Sequence, residues 1–202
     1  MPIPHKYIAN ADEACEAEAS YYLHFQLISA LVSLDHINNC KYSDDSSFES
    51  KAQYYHYYVD HLLYSLGQIS ERFRMKINPS NKEKNFYARR SANRVNYGFD
   101  EVNFPILSNK NFRNTIEHID EHNLNVINTY NGVGGFNYID EDTNSELKEA
   151  LLKKRNIHTY TLDLLSKQIY IGRNDTPLTL KLDDLNHELI ELKNRVDDFW
   201  GF

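Results

Sequence analysis

Cysteine is nearly absent from this chain: Cys15 and Cys40 are the only two, and no C-x-x-C pair occurs. If both lie on the first predicted helix, their separation spreads them over roughly 37 Å, beyond disulfide reach. That pattern reads as two separate thiols in a reducing compartment, and it excludes a disulfide scaffold or a zinc finger. Long apolar runs are missing as well. None approaches the eighteen or so residues that span a bilayer, so no membrane partner is expected. The opening M-P-I-P-H-K-Y has no hydrophobic signal core, which points to a cytoplasmic protein. Basic charge is in deficit, with 22 Lys and Arg against 29 acids and a formal charge of −7. A global basic field is therefore excluded, and any contact with nucleic acid must come from a local patch. Glycine is scarce too, at seven residues, while fifteen Tyr and ten Phe exclude the aromatic-poor composition of disorder.

What is present suits one sizeable core and not two independent domains: 202 residues, 41% hydrophobic and 25% charged. Residues 1–10 hold two prolines and read as an irregular arm. A first helix is expected from Ala11 to about Asn38, with Glu13, Glu16 and Glu18 in its first turns, where the helix dipole favours acids. Leu27, Leu31 and Leu34 form its inward stripe, with Phe25, Ile28 and Val32 beside it. The polar run Ser43–Ser47 breaks the chain. A second helix, from about Phe48 to Arg72, turns Tyr55, Val59, Leu62, Leu66, Ile69 and Phe73 inward. Its Y-Y-H-Y-Y-V-D-H segment places aromatics on several sides, as a core face plus a partner face would require.

Asn78-Pro79 ends that helix, and Ser80-x-x-Glu83 matches a capping box that opens a third. The third helix, ending near Gly98, carries Lys82, Lys84, Arg89, Arg90 and Arg94 against the single acid Glu83. It is the one clearly basic segment, either a solvated face offsetting neighbouring acids or a phosphate-contacting surface. On the second reading Arg89, Arg90 and Arg94 bind RNA. A loop follows from Phe99 to Leu107, and Ser108 or Asn109 can cap the next helix.

That helix, Asn111–Tyr130, concentrates more chemistry than any other stretch. Phe112, Ile116, Ile119, Val126, Ile127 and Tyr130 make one apolar stripe. Arg113, Asn114, Glu117, His118, Glu121 and His122 spread over the other side, with Arg113 and His118 about 140° apart. Beyond it, N-G-V-G-G at Asn131–Gly135 is a turn or hinge. Ser145–Lys154 reads as a weak helix. Ile157–Leu162 and Gln168–Ile171 are β-prone and read as a hairpin. Asn174–Pro177 is a turn, and L-T-L-K-L leads to Asp183 or Asp184. Either acid can cap a final helix with Leu185, Leu189, Leu192, Val196 and Phe199 inward. An isolated hairpin is unstable, so this tail should pack on the helices before it.

Histidine suits proton transfer near neutrality, and arginine binds phosphate in bidentate fashion. Beside a ribose-phosphate linkage, His118 can take the 2′-hydroxyl proton while Arg113 stabilises charge on the phosphoryl oxygens. Asn114, four residues before His118, can orient the ring. No metal or other cofactor is required. The run R-N-T-I-E-H, Arg113 to His118, resembles the R-x4-6-H signature of the HEPN superfamily, including the polar residue after the arginine. The resemblance covers about residues 11–130. It implies a compact helical bundle and a homodimer with paired motifs across a cleft. It also implies metal-independent RNA cleavage of the kind found in toxins and antiviral factors, where a cognate antitoxin or regulatory protein is a partner. Some members of the family are inactive, and a non-catalytic dimeric interaction protein is the alternative it allows.

A competing motif overlaps this one. His118-Ile119-Asp120-Glu121-His122 is H-x-x-E-H, resembling the inverted zinc-peptidase signature. His118 and His122 would share Zn²⁺, Glu121 would act as general base, and Glu188 or Glu191 would serve as third ligand. Among the other histidines, His24, His36, His56, His61, His158 and His187 have no partner spacing that singles them out. The reading is thus a mainly α protein: a four-helix-type bundle over residues 1–130, then an extension over 131–202 holding a small β-hairpin and a final helix.

Overall fold

The structure is a computed structural model that describes residues 11–40, 48–117, 136–152, 160–171 and 178–202. It is mostly helical. In chain order come α1 (Ala11–Asn39), α2 (Phe48–Phe73), α3 (Lys84–Asn96), α4 (Lys110–Glu117), β1 (Phe136–Ile139), α5 (Ser145–Leu152), β2 (Tyr160–Asp163), β3 (Gln168–Ile171), β4 (Leu178–Lys181) and α6 (Leu182–Trp200). No described helix is long and apolar enough to cross a membrane.

α1 and α2 run antiparallel. Glu16 near the start of α1 sits by Arg72 at the end of α2, and His36 near the end of α1 stacks on Tyr58. Periodicity placed the inward face of α2 correctly, and Tyr55, Val59, Leu62, Leu66, Ile69 and Phe73 are all buried. For α1 it was half right. Leu27 and Leu34 are buried, but Phe25, Ile28 and Val32 face outward with Tyr22 and stay 36% to 58% exposed. α1 is apolar on two opposite faces, and α2 covers only one of them.

The tail is more than a hairpin. β2 and β3 do pair antiparallel, with Tyr160 opposite Ile171 and Leu162 opposite Ile169. But β4 adds to β3, and β1 adds parallel to β2, giving a four-stranded sheet in the order β1-β2-β3-β4. α5 is the crossover that a parallel β1–β2 pair needs. Strand ends carry the turn chemistry: Asp163 accepts the N–H groups of Leu165 and Ser166 and pairs with Lys148. α6 then packs against α1, burying Leu182, Leu185, Leu189, Leu192, Val196 and Trp200 in the same core as the first helices. Asp183 and Asp184 lie in its first turn without capping it; the N-cap position is Lys181, and Asp183 faces Lys167 instead.

Local signals were legible in part. The Glu83 carboxylate accepts from the N–H and hydroxyl of Ser80 at 2.9 and 2.7 Å, but α3 begins only at Lys84 and its N-cap is Glu83, with no side-chain cap, so Ser80 does not cap the helix. Asn109 Oδ1 accepts from the N–H groups of Asn111 and Phe112 and caps α4. One long-range feature joins the layers. The Tyr97 hydroxyl, just past α3, accepts from Trp200 Nε1 at 2.8 Å and shares a hydrogen bond with Ser20 Oγ at 3.1 Å. Its ring meets Phe73 and Phe199 edge-on. Tyr97→Phe should therefore cost about 1–3 kcal/mol in urea unfolding, because a buried indole N–H loses its acceptor.

Acid should act through Glu83. The Ser80 hydroxyl, then Lys76 and the Ser80 N–H, hold its carboxyl down from 4.5 to about 2. A depressed carboxyl stabilises the fold above its unfolded value and ceases to as pH falls from about 4.5 toward 2. Glu83→Gln should thus flatten the acid limb of the stability profile over that window, as read by thermal melts at stepped pH.

Candidate functional site

α4 lies on one flank of α2. Phe112, Thr115 and Ile116 are buried, while Asn111 and Asn114 are exposed. Close approach is allowed by Gly67, where an added Cβ would come 3.3 Å from Ile116 Cγ2. Arg113 belongs to this helix, next to the exposed Asn114. His118, Glu121 and His122 lie outside the described residues, as does the rest of the stretch to Tyr130. The pairing of Arg113 with His118, and the H-x-x-E-H motif, therefore lie outside the described residues.

The acids assigned to a zinc site are engaged elsewhere. Glu188 is buried and accepts the N–H groups of Ile106 and Leu107 at 2.8 to 3.1 Å, pinning the loop before α4 onto α6. Burial pushes its carboxyl above the usual range, and those two N–H bonds pull it back. Glu191 pairs with Arg195 at 2.8 Å. Among the described residues no three His, Cys, Asp or Glu gather as a metal site would need.

The basic helix α3 turns out to serve α2. Arg90 donates to the Arg74 carbonyl and to Glu71 at 3.1 Å, and its guanidinium lies 4.2 Å above the Phe86 ring. One turn on, Arg94 donates to the Phe73 carbonyl at 3.2 Å. Two arginines at i and i+4 thus meet the last carbonyls of α2, where a helix presents unpaired acceptors and the negative end of its dipole. Arg89, by contrast, keeps 42% of its side chain exposed, with Glu16 at 3.9 Å.

One constellation had no sequence signal beyond an i,i+4 spacing. His56 Nε2 and Asp60 Oδ2 are 3.3 Å apart on α2, and both face Tyr160 at the start of β2. The Tyr160 hydroxyl donates to Asp60 and lies 3.1 Å from His56 Nε2. Nε2 of the half-exposed imidazole thus lies within reach of both the phenol oxygen and the Asp60 carboxylate. Phe136 stacks on that ring at 5.2 Å. Its neighbours here are acidic and aromatic, which does not suit a phosphate. A separate polar cleft of about 560 Å³ lies between the end of α1 and the sheet, lined in part by Cys40, Lys51, Tyr55, Asp140 and Lys167. Cys40 carries a free thiol. Burial, with Cys40 and Asp140 beside it, pushes the Tyr55 hydroxyl up.

Compared with known proteins, the chain matches no family model, no curated protein and no solved structure. What its residues do must be argued from their own geometry.

The two arginine roles separate by stability. Arg90→Ala should cost about 1.5–3 kcal/mol, the range for hydrogen bonds from a charged group, since Glu71 is half-exposed and can rehydrate. Arg89→Ala should stay within about 0.5 kcal/mol. Urea unfolding of the two variants checks the contrast.

Proposed function

We propose that the chain is a HEPN-like, metal-independent endoribonuclease that acts as a homodimer. The carrying observation is α4: a capped helix opens at the motif, buries Phe112, Thr115 and Ile116 against α2, and turns Asn114 outward. Three helices precede it, one of them basic, which supports the resemblance. In this reading His118 is the general base for the 2′-hydroxyl, Arg113 stabilises the phosphoryl oxygens, and Asn114 orients the imidazole. Proton removal accompanies attack of the 2′-oxygen on phosphorus and departure of the 5′-oxygen. A toxin or antiviral role, restrained by a cognate antitoxin or regulatory protein, follows from the same resemblance. The zinc-hydrolase reading is weakened because Glu188 and Glu191 already have partners.

A second reading, a non-catalytic interaction protein, is favoured by the outward stripe of Tyr22, Phe25, Ile28 and Val32 on α1. A helix apolar on both sides is normally covered on both.

RNA cleavage should persist in excess EDTA and leave 2′,3′-cyclic phosphates, and 2′-deoxyribose at the cut should block it. His118→Ala should lose about 10²–10⁴-fold in rate. Arg113→Ala should also abolish cleavage, each change costing no more than about 0.5 kcal/mol of stability. Glu121→Gln should matter little. EDTA-sensitive peptide hydrolysis abolished by Glu121→Gln would reverse the order of readings. If neither RNA nor peptide is cut while light scattering gives a dimer, the interaction reading takes over.

A further inference from the structure

One face of α1 stays open to solvent. Tyr22, Phe25, Ile28 and Val32 stand 36% to 58% exposed along it, while Leu23, Leu27, Ala30 and Leu34 lie in the core. An exposed apolar side chain by itself needs no explanation. Four of them on consecutive turns of one face make a patch, and a patch of that kind marks an interaction surface. Two of the four are aromatic and two β-branched, so the face is rigid as well as apolar.

The order of residues along this face says what covers it. Glu18 is exposed at one end, Asp35 and Asn39 at the other, and half-buried Ser29 stands beside Ile28 in the middle. Consider a second copy of α1 laid antiparallel about a twofold axis between Ile28 and Ser29. Phe25 comes level with the partner's Val32, and Ile28 with the partner's Ser29. Bulky and small side chains then alternate across the central turns, as interdigitating helices require. Toward the ends, the phenols of Tyr21 and Tyr22 come level with the partner's Asp35, and Glu18 comes level with the partner's Asn39. Each acid thereby meets hydroxyl or amide donors. Asp35 Oδ1 accepts Asn39 Nδ2 at 2.7 Å within the chain, and a carboxylate has further acceptor sites for a phenol. A parallel copy would instead set each acid against its own counterpart and Phe25 against Phe25. Like charges face to face oppose association, so charge selects the antiparallel pair.

We propose that the outer face of α1 is a self-association seam that takes α1 of a second copy of this chain, antiparallel and centred between Ile28 and Ser29. From Glu18 to Asn39 the seam is about 32 Å long. One helix from each copy gives an interface at the small end of the specific range, so the dimer forms reversibly with concentration. This goes beyond the ribonuclease reading, because α4 and its motif pack against α2 at Gly67 and not on this face. The seam holds or fails whether or not RNA is cut.

The test is oxidative cross-linking of the full chain carrying Cys15→Ser and Cys40→Ser, with one new cysteine at a time. Ser29→Cys should give a covalent dimer, because the two copies of that position lie about one residue step apart along the seam, within disulfide reach. Tyr22→Cys should not, because its two copies lie about 20 Å apart along the helices. A mixture of Phe25→Cys and Val32→Cys chains should give a mixed dimer. Adding Phe25→Glu to the Ser29→Cys chain should slow cross-linking about tenfold or more, since it presses a charge against the partner's Val32, while the exposed position leaves the melting temperature unchanged. Cross-linking of Ser29→Cys that is absent, no faster than that of Tyr22→Cys, or unaltered by Phe25→Glu overturns the seam. Efficient cross-linking of Tyr22→Cys would mean a parallel pair and overturns it equally.

Discussion

The Tyr97 hydroxyl is the point on which the helical layers converge. One oxygen, almost wholly removed from solvent, satisfies the indole of Trp200 on α6 and the hydroxyl of Ser20 on α1. The ring beneath it packs against Phe73 at the end of α2. The next residue, Gly98, takes a left-handed φ of 58°, and an added Cβ there would lie 2.5 Å from Arg195 Nη1. Arg195 in turn donates to the Tyr97 carbonyl. The chain therefore leaves α3 in one direction only, with Tyr97 turned into the core. Phe99 and Phe104 stack behind it, and Glu188 holds the loop that follows. α4 begins where that loop releases it, so the placement of the motif helix rests on a contact more than a turn of chain away.

Charge is used economically in this acidic protein. The basic residues of α3 do not make an open field, because Arg90 and Arg94 are bound to the carbonyl end of α2. That arrangement draws two cations of a largely exposed helix against its neighbour, burying Arg90 fully and Arg94 in part. The same packing leaves Arg72 and Arg90 with donors they cannot use.

Two features of the α2 surface frame the functional reading. One flank of α2 carries both Gly67, which admits α4, and the His56–Asp60 pair, which meets Tyr160. Along the helix these lie roughly 16 Å apart. On the far side of α1, the stripe of Tyr22, Phe25, Ile28 and Val32 is open. These features fall on different faces of the same pair of helices.

Local chemistry was determined by the sequence itself. The inward positions of α2, the Ser80–Glu83 contact, the Asn109 cap and the β2–β3 pairing each depend on residues within a few positions of one another, so their signals survive without a partner. The apolar rows of α1 did not say which would be inside, because two opposite stripes are equivalent until α2 chooses one. β1 and β4 were hidden for a related reason: four-residue strands carry too little pattern, and only the neighbouring strand makes them strands. Arg89, Arg90 and Arg94 look alike in the chain and separate only when the end of α2 captures two of them. Of the motif itself, the helix bearing Arg113 was legible from its caps and apolar spacing, and His118 lies outside the described residues. His56 and Tyr160 stand about a hundred residues apart, and Glu16 and Arg72 on different helices. Pairings of that kind are decided by where the backbone returns, which only the tertiary structure specifies.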